Sequence, residues 1–127
     1  MRSRDLRALL AITAGSSIAG CVSPGAAALD RLHIDLERIQ ETPPTEHVDV
    51  GASIDPRLLV GLTRSQIIAW LGATTECSLP DLRPGERACE SYDFFRLPSG
   101  WVGGGTVLEI FYDGYGQVAR ARWIVTI

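Results

Sequence analysis

The last third of the chain carries the pattern that most narrows what it can fold into. Leu108, Ile110 and Tyr112 alternate with Val107, Glu109 and Phe111, and the turn Asp113-Gly114-Tyr115-Gly116 follows. Beyond it, Ala119, Ala121, Trp123 and Val125 alternate with Val118, Arg120, Arg122 and Ile124. Period-two spacing of aromatic and β-branched residues on both sides of an Asp/Gly turn is the signature of a β-hairpin. The alternation predicts that the Ala/Trp face of the last strand turns to the core and that its Arg face is wet. A third aromatic segment at 89–97 completes a meander of three antiparallel strands, 89–97, 106–113 and 117–126.

A half-buried sheet needs a cover, and the preceding segment supplies helix signals. Asp55-Pro56-Arg57 is an N-cap with Pro at the first helical position, opening a short turn through Leu58, Leu59 and Val60 that Gly61 stops. Thr63-Arg64-Ser65-Gln66 reads as a capping box, with Leu62 and Ile67 placed as a hydrophobic staple. That helix runs to about Leu71 before Gly72, and its apolar face is Ile67, Ile68, Trp70 and Leu71. The fold class is therefore α+β: two short helices packed on a three-stranded antiparallel sheet in two layers. Residues 29–40 fit a helix through Leu29, Leu32, Leu36 and Ile39, and a strand through Leu32, Ile34 and Leu36. Periodicity leaves both open. Thr42-Pro43-Pro44-Thr45 ends the segment either way.

The first residues describe export. Met1 to Arg7 is basic, Ala8 to Ile18 is mostly apolar, and Ala19-Gly20-Cys21 supplies small residues before a thiol. These are the parts of a secretory signal peptide, too short to span ~30 Å of hydrocarbon as a stable helix. Ser17-Ile18-Ala19-Gly20-Cys21 resembles the bacterial lipobox, which implies cleavage after residue 20 and acylation of Cys21. Val22 stands where Asp is associated with inner-membrane retention, so the outer membrane is the expected location. The predicted organisation is a signal peptide at 1–20, a flexible lipid-anchored tether at 21–47 and a compact domain at 48–127.

Two cysteines then remain, Cys77 and Cys89, and in an exported chain an even pair is read as a disulfide. The loop it closes holds about 13 residues, for which chain entropy suggests roughly 3 kcal/mol of stabilisation. All twelve basic residues are Arg, which excludes the phosphate-loop lysine, Schiff-base chemistry and the Ser-x-x-Lys acylation motif. Residues 1–20 hold three of those Arg and one of the fifteen acidic residues, leaving the processed chain near −5. Such a charge gives no cationic surface for nucleic acid.

The run from Leu62 to Gly72, the aromatic strand Tyr92-Asp93-Phe94-Phe95 and the strand–turn–strand from Leu108 to Val118 resemble the SmpA/OmlA family of outer-membrane lipoproteins. The resemblance spans roughly 55–125. It implies two helices on a three-stranded antiparallel sheet and an accessory role in β-barrel assembly, with no catalytic residues to carry over. Ala73-Thr74 replaces the family's usual Pro, and neither the Cys pair nor the run from Ser99 to Gly105 is a general family feature.

Chemistry-bearing residues are sparse. His33 and His47 lie in the polar approach to the domain, each two residues from an Asp (Asp35, Asp49), and are read as solvated pairs. Asp81, Glu86 and Glu90, mixed with Arg83 and Arg87, are read as a charged solvated loop. Gly103-Gly104-Gly105 lacks the helix and Lys of a phosphate cradle. Trp101, between glycines, is expected to fold back on the core, with projection as an interface anchor the alternative. The expected function is that of a non-catalytic, periplasm-facing interaction module, with no metal, cofactor, small-molecule substrate or nucleic-acid partner. Phe95, Trp101, Arg120 and Arg122 are the candidate contacts for another envelope protein. The alternative is a periplasmic enzyme-inhibitor or ligand-binding module, on fold analogy alone.

Overall fold

The computed structural model describes residues 23–127; the predicted signal peptide at 1–20 and Cys21 lie outside them. The fold is α+β, but it begins earlier than predicted. Helix α1 spans Pro24–Glu41. Ser23 caps it by accepting the Ala26 N–H at 3.1 Å, and Pro24 occupies the first turn, where its missing N–H costs nothing. Leu29, Leu32 and Ile39 of this helix enter the main core, with Leu36 packed against it. From residue 24 onward the predicted tether is thus replaced by an 18-residue helix, because its apolar face completes the cover that the sheet requires. The helical alternative at 29–40 holds, and Thr42 ends it with its N–H on the Arg38 and Ile39 carbonyls.

Six strands follow, in two antiparallel sheets. Strand β1 (Val48–Asp49) pairs with β4 (Phe95–Arg96). The main sheet has four strands in the order β2 (Thr75–Glu76), β3 (Glu86–Asp93), β5 (Thr106–Asp113), β6 (Val118–Val125). The predicted strand at 89–97 is therefore split: the chain bends at fully buried Phe94 and its end leaves for the small sheet. Between β1 and β2 lie a 3₁₀ helix at Pro56–Leu59 and helix α2 at Arg64–Leu71. The Thr63/Gln66 capping box forms in both directions, with N–H donations at 2.8 and 3.1 Å. Gly72 ends α2 at φ +83°, a conformation that side chains resist.

The last strand contains one extra residue. Phe111 faces Arg120 but Tyr112 faces Val118, which leaves Ala119 as a β-bulge. Beyond that bulge the alternation holds as read, with Ala121 and Trp123 against the core; before it, Val118 takes the core position and Ala119 is exposed. Val125, expected to be inward, is also exposed, because it lies where β6 leaves the sheet. Central strand β5 is buried on both faces. On the helix side lie Leu108, Ile110 and Tyr112 with both helices. On the far side Phe111 is fully buried with Cys77 and Cys89. The body thus has a third layer beyond the two predicted, made by the disulfide segment and the arginines of β6.

Candidate functional site

The far-side layer uses residues that the alternation pattern assigned to solvent. Arg120 lies over the Phe111 ring, 3.7 Å from its centroid, and Arg122 stands 5.2 Å from it. Guanidinium groups at such distances are attracted by the π-face and also shield it from water. Arg120 donates to both carboxylate oxygens of Glu86 at 2.8 Å, and again to the Asp81 carbonyl at 2.8 Å. Arg122 donates to Glu109 at 2.7 Å. Hydrogen bonds from Arg120 outweigh the burial of Glu86 and hold its carboxyl down at about 2. The wet Arg face is accordingly a paired one, because Phe111 beneath it needs cover. Arg120 and Arg122 are brought together, with their charges already engaged.

Glu90, another member of the predicted solvated loop, accepts Arg64 in a two-pronged pair at 2.9 Å, joining α2 to β3. Asp81 stays mostly exposed. His33 and Asp35 separate, while His47 and Asp49 are both exposed. On a helix, residues two apart do not share a face. His33 accordingly sits outside, its Nδ1 2.9 Å from the Trp70 carbonyl and its ring edge-on to the indole. Asp35 is fully buried, takes the Ser53 hydroxyl, and lies 3.3 Å from Arg31. Asp49 accepts the Gly51 and Thr106 N–H groups, so it ties β1 to the start of β5. Among the described residues one further group has metal-like spacing, Cys77, Cys89 and Glu109. Its two sulfurs are bonded to each other and its carboxylate is held by Arg122.

Phe95 and Trp101 lie at the end of the body where α1 finishes. Arg96 fixes that end by donating to the Thr42 and Pro43 carbonyls. Phe95 is half-buried and packs where a β-carbon on Gly105 would stand 2.4 Å from its ring, so that position admits only glycine. Gly104 is equally tight, against Thr126. The glycine run therefore serves close backbone approach, and Thr126 locks it with its N–H on the Gly105 carbonyl at 2.9 Å. Trp101 does not fold back: it is 66% exposed, beside Val102 at 98%. Short glycine backbones leave it no adjacent side-chain bed. Val125 and Ile127 are exposed at the same end.

Sequence reasoning missed the groove between α1 and the sheet. It measures about 270 Å³ and is lined by Leu36, Ile39, Leu71, Tyr92 and their neighbours. Recognising the Ser23-Pro24 helix start would have pointed to it. Burial also pushes the hydroxyl of Tyr112 above the usual phenol range, and its oxygen has no hydrogen-bond partner. No helix of the described residues is long and apolar enough to cross a membrane. No family model, curated protein or solved structure matches this chain.

Proposed function

We propose that this chain is a non-catalytic lipoprotein of the outer membrane, facing the periplasm. It docks another envelope protein, in the accessory role in β-barrel assembly or envelope integrity that its likeness to the SmpA/OmlA pattern implies. The observation that carries the docking is the exposed Trp101-Val102 pair on a segment pinned at Gly104 and Gly105. An aromatic side chain on a restrained backbone loses little entropy on binding and suits an interface anchor. The Cys77–Cys89 disulfide supports an oxidising compartment. The lipobox at 17–21 supports acylation of Cys21. Arg120 and Arg122 hold the scaffold, which moves the weight of the contact to Trp101 and Phe95.

The test is crosslinking and affinity purification of the intact chain from native membranes, beside a Trp101→Ala variant of equal thermal stability. Recovery of barrel-assembly components, lost in the variant, is the expected result. Recovery of a soluble enzyme alone would replace this reading with the inhibitor one. Mass spectrometry of the mature N-terminus tests the anchor separately, and an unmodified Cys21 thiol would remove it.

A further inference from the structure

We infer that the end of the body opposite Trp101 sits directly on the bilayer, with Leu58, Val60 and Tyr115 as its apolar seat; this rests on the acylation of Cys21 proposed above. The first described residue, Ser23, is already the cap of α1. From Cys21 to Ser23 the chain advances two residues, at most about 7 Å when extended. A lipid on Cys21 would therefore hold the start of α1 against the membrane surface.

The elements gathered at that start are fixed by contacts. A β-carbon on Gly25 would meet the Leu58 carbonyl oxygen at 3.0 Å and the Leu62 side chain at 3.2 Å, so α1 begins on the 3₁₀ helix. Gly61 donates to the Val118 carbonyl and Arg64 to the Gly116 carbonyl, each at 2.8 Å, which brings in the β5–β6 turn. Leu58, Val60 and Tyr115 are 40%, 51% and 92% exposed there, the first two from the 3₁₀ helix and its C-cap and the third from the β5–β6 turn. An open cavity of about 390 Å³ beside Val60 is lined by Arg57, Arg83 and the Arg120–Glu86 pair, and Arg57 is itself bonded to Asp55. Aliphatic side chains and a tyrosine ring with Arg83 beside them match the layering of a bilayer surface, where apolar groups enter and a guanidinium group meets phosphate oxygens. Acyl chains on Cys21 hold the chain at the membrane, and apolar contact beside them orients the body on it. Helix α1, about 27 Å long by its rise, then carries Trp101 away from the lipid.

The test uses the full acylated chain in phosphatidylcholine vesicles, with a spin label on Val60→Cys, Tyr115→Cys or Val102→Cys. Cys77 and Cys89 are bonded to each other, so each introduced thiol is the labelled one. The labels at 60 and 115 are expected to collide severalfold more with lipid-dissolved oxygen, relative to an aqueous nickel chelate, than the label at 102. Vesicle-bound protein in which all three labels are equally aqueous would overturn the seat and leave the anchor standing. Protein that fails to float with the vesicles would overturn both.

Discussion

Arg120 and Phe111 face each other across β6 and β5, the guanidinium 3.7 Å from the ring centroid while two of its nitrogens bond Glu86 at 2.8 Å. One side chain thus covers an aromatic ring and neutralises a buried carboxylate. Replacing Arg120 with Gln leaves Glu86 buried without a counter-ion, a change that costs about 3 kcal/mol or more. Arg120→Lys keeps the charge but loses the planar fork, and is expected to fall between the two. Urea unfolding of the three proteins gives the order.

The same pair sets an acid limit. Glu86 falls from the usual 4.5 to about 2 in the folded chain. A carboxylate whose folded value is depressed stabilises fully above its unfolded value and progressively less as pH falls towards the folded one. Stability is expected to decline between about pH 4.5 and pH 2 by on the order of 2 kcal/mol from this group. Thermal melts across that range check it, and in Arg120→Gln the decline should shrink.

Reduction of Cys77–Cys89 opens a crosslink over a sequence separation of 12. The expected loss is roughly 3 kcal/mol by the chain-entropy model. Because Phe111 packs with both sulfurs, a Cys77→Ala/Cys89→Ala double variant should lose more than reduction alone. Denaturant midpoints of the oxidised, reduced and doubly substituted forms separate the two effects.

Leu32 is fully buried in α1. Leu32→Ala is expected to cost 2–5 kcal/mol in a single cooperative transition, as for a core leucine. Were the segment a tether, the substitution would be silent. Calorimetry distinguishes these outcomes.

Gly105 and Gly114 form a matched pair. An added methyl group at 105 meets Phe95 and Asp49, whereas at 114 its nearest neighbours are Arg87 side-chain atoms at 3.8 Å. Gly105→Ala should cost about 1–3 kcal/mol through overpacking. Gly114→Ala should change the melting temperature little.

What the sequence made legible was local. The Thr63/Gln66 box, the Asp55-Pro56 start and the strand at 106–113 depend on neighbouring residues, and each forms where the pattern puts it. The disulfide needed only a pair count. Long-range compensation was hidden. Nothing in the alternation of β6 marks Ala119 as an extra residue, since the bulge exists only in relation to β5. Whether Arg120 is solvated depends on Glu86 being 34 residues away in sequence but within bonding distance. The helix at Pro24–Glu41 was legible in part: Ser23 and Pro24 are start signals, but an Ala-rich run beside an export signal also reads as a linker. Trp101 projects because its glycine neighbours pack against Phe95 and Thr126, contacts that no spacing rule encodes.

The single surplus residue at Ala119 also constrains how this chain can diverge. Inserting or deleting one amino acid between 106 and 122 would put Arg122 or Ile124 where Trp123 now packs, and the insertion would press a guanidinium group into the oil beneath the helices. Between the strands of the main sheet, length changes are therefore tolerable where no ladder reads the count, at 78–85 and 98–103, so descendants of this domain should vary in those loops while their hairpin keeps its length.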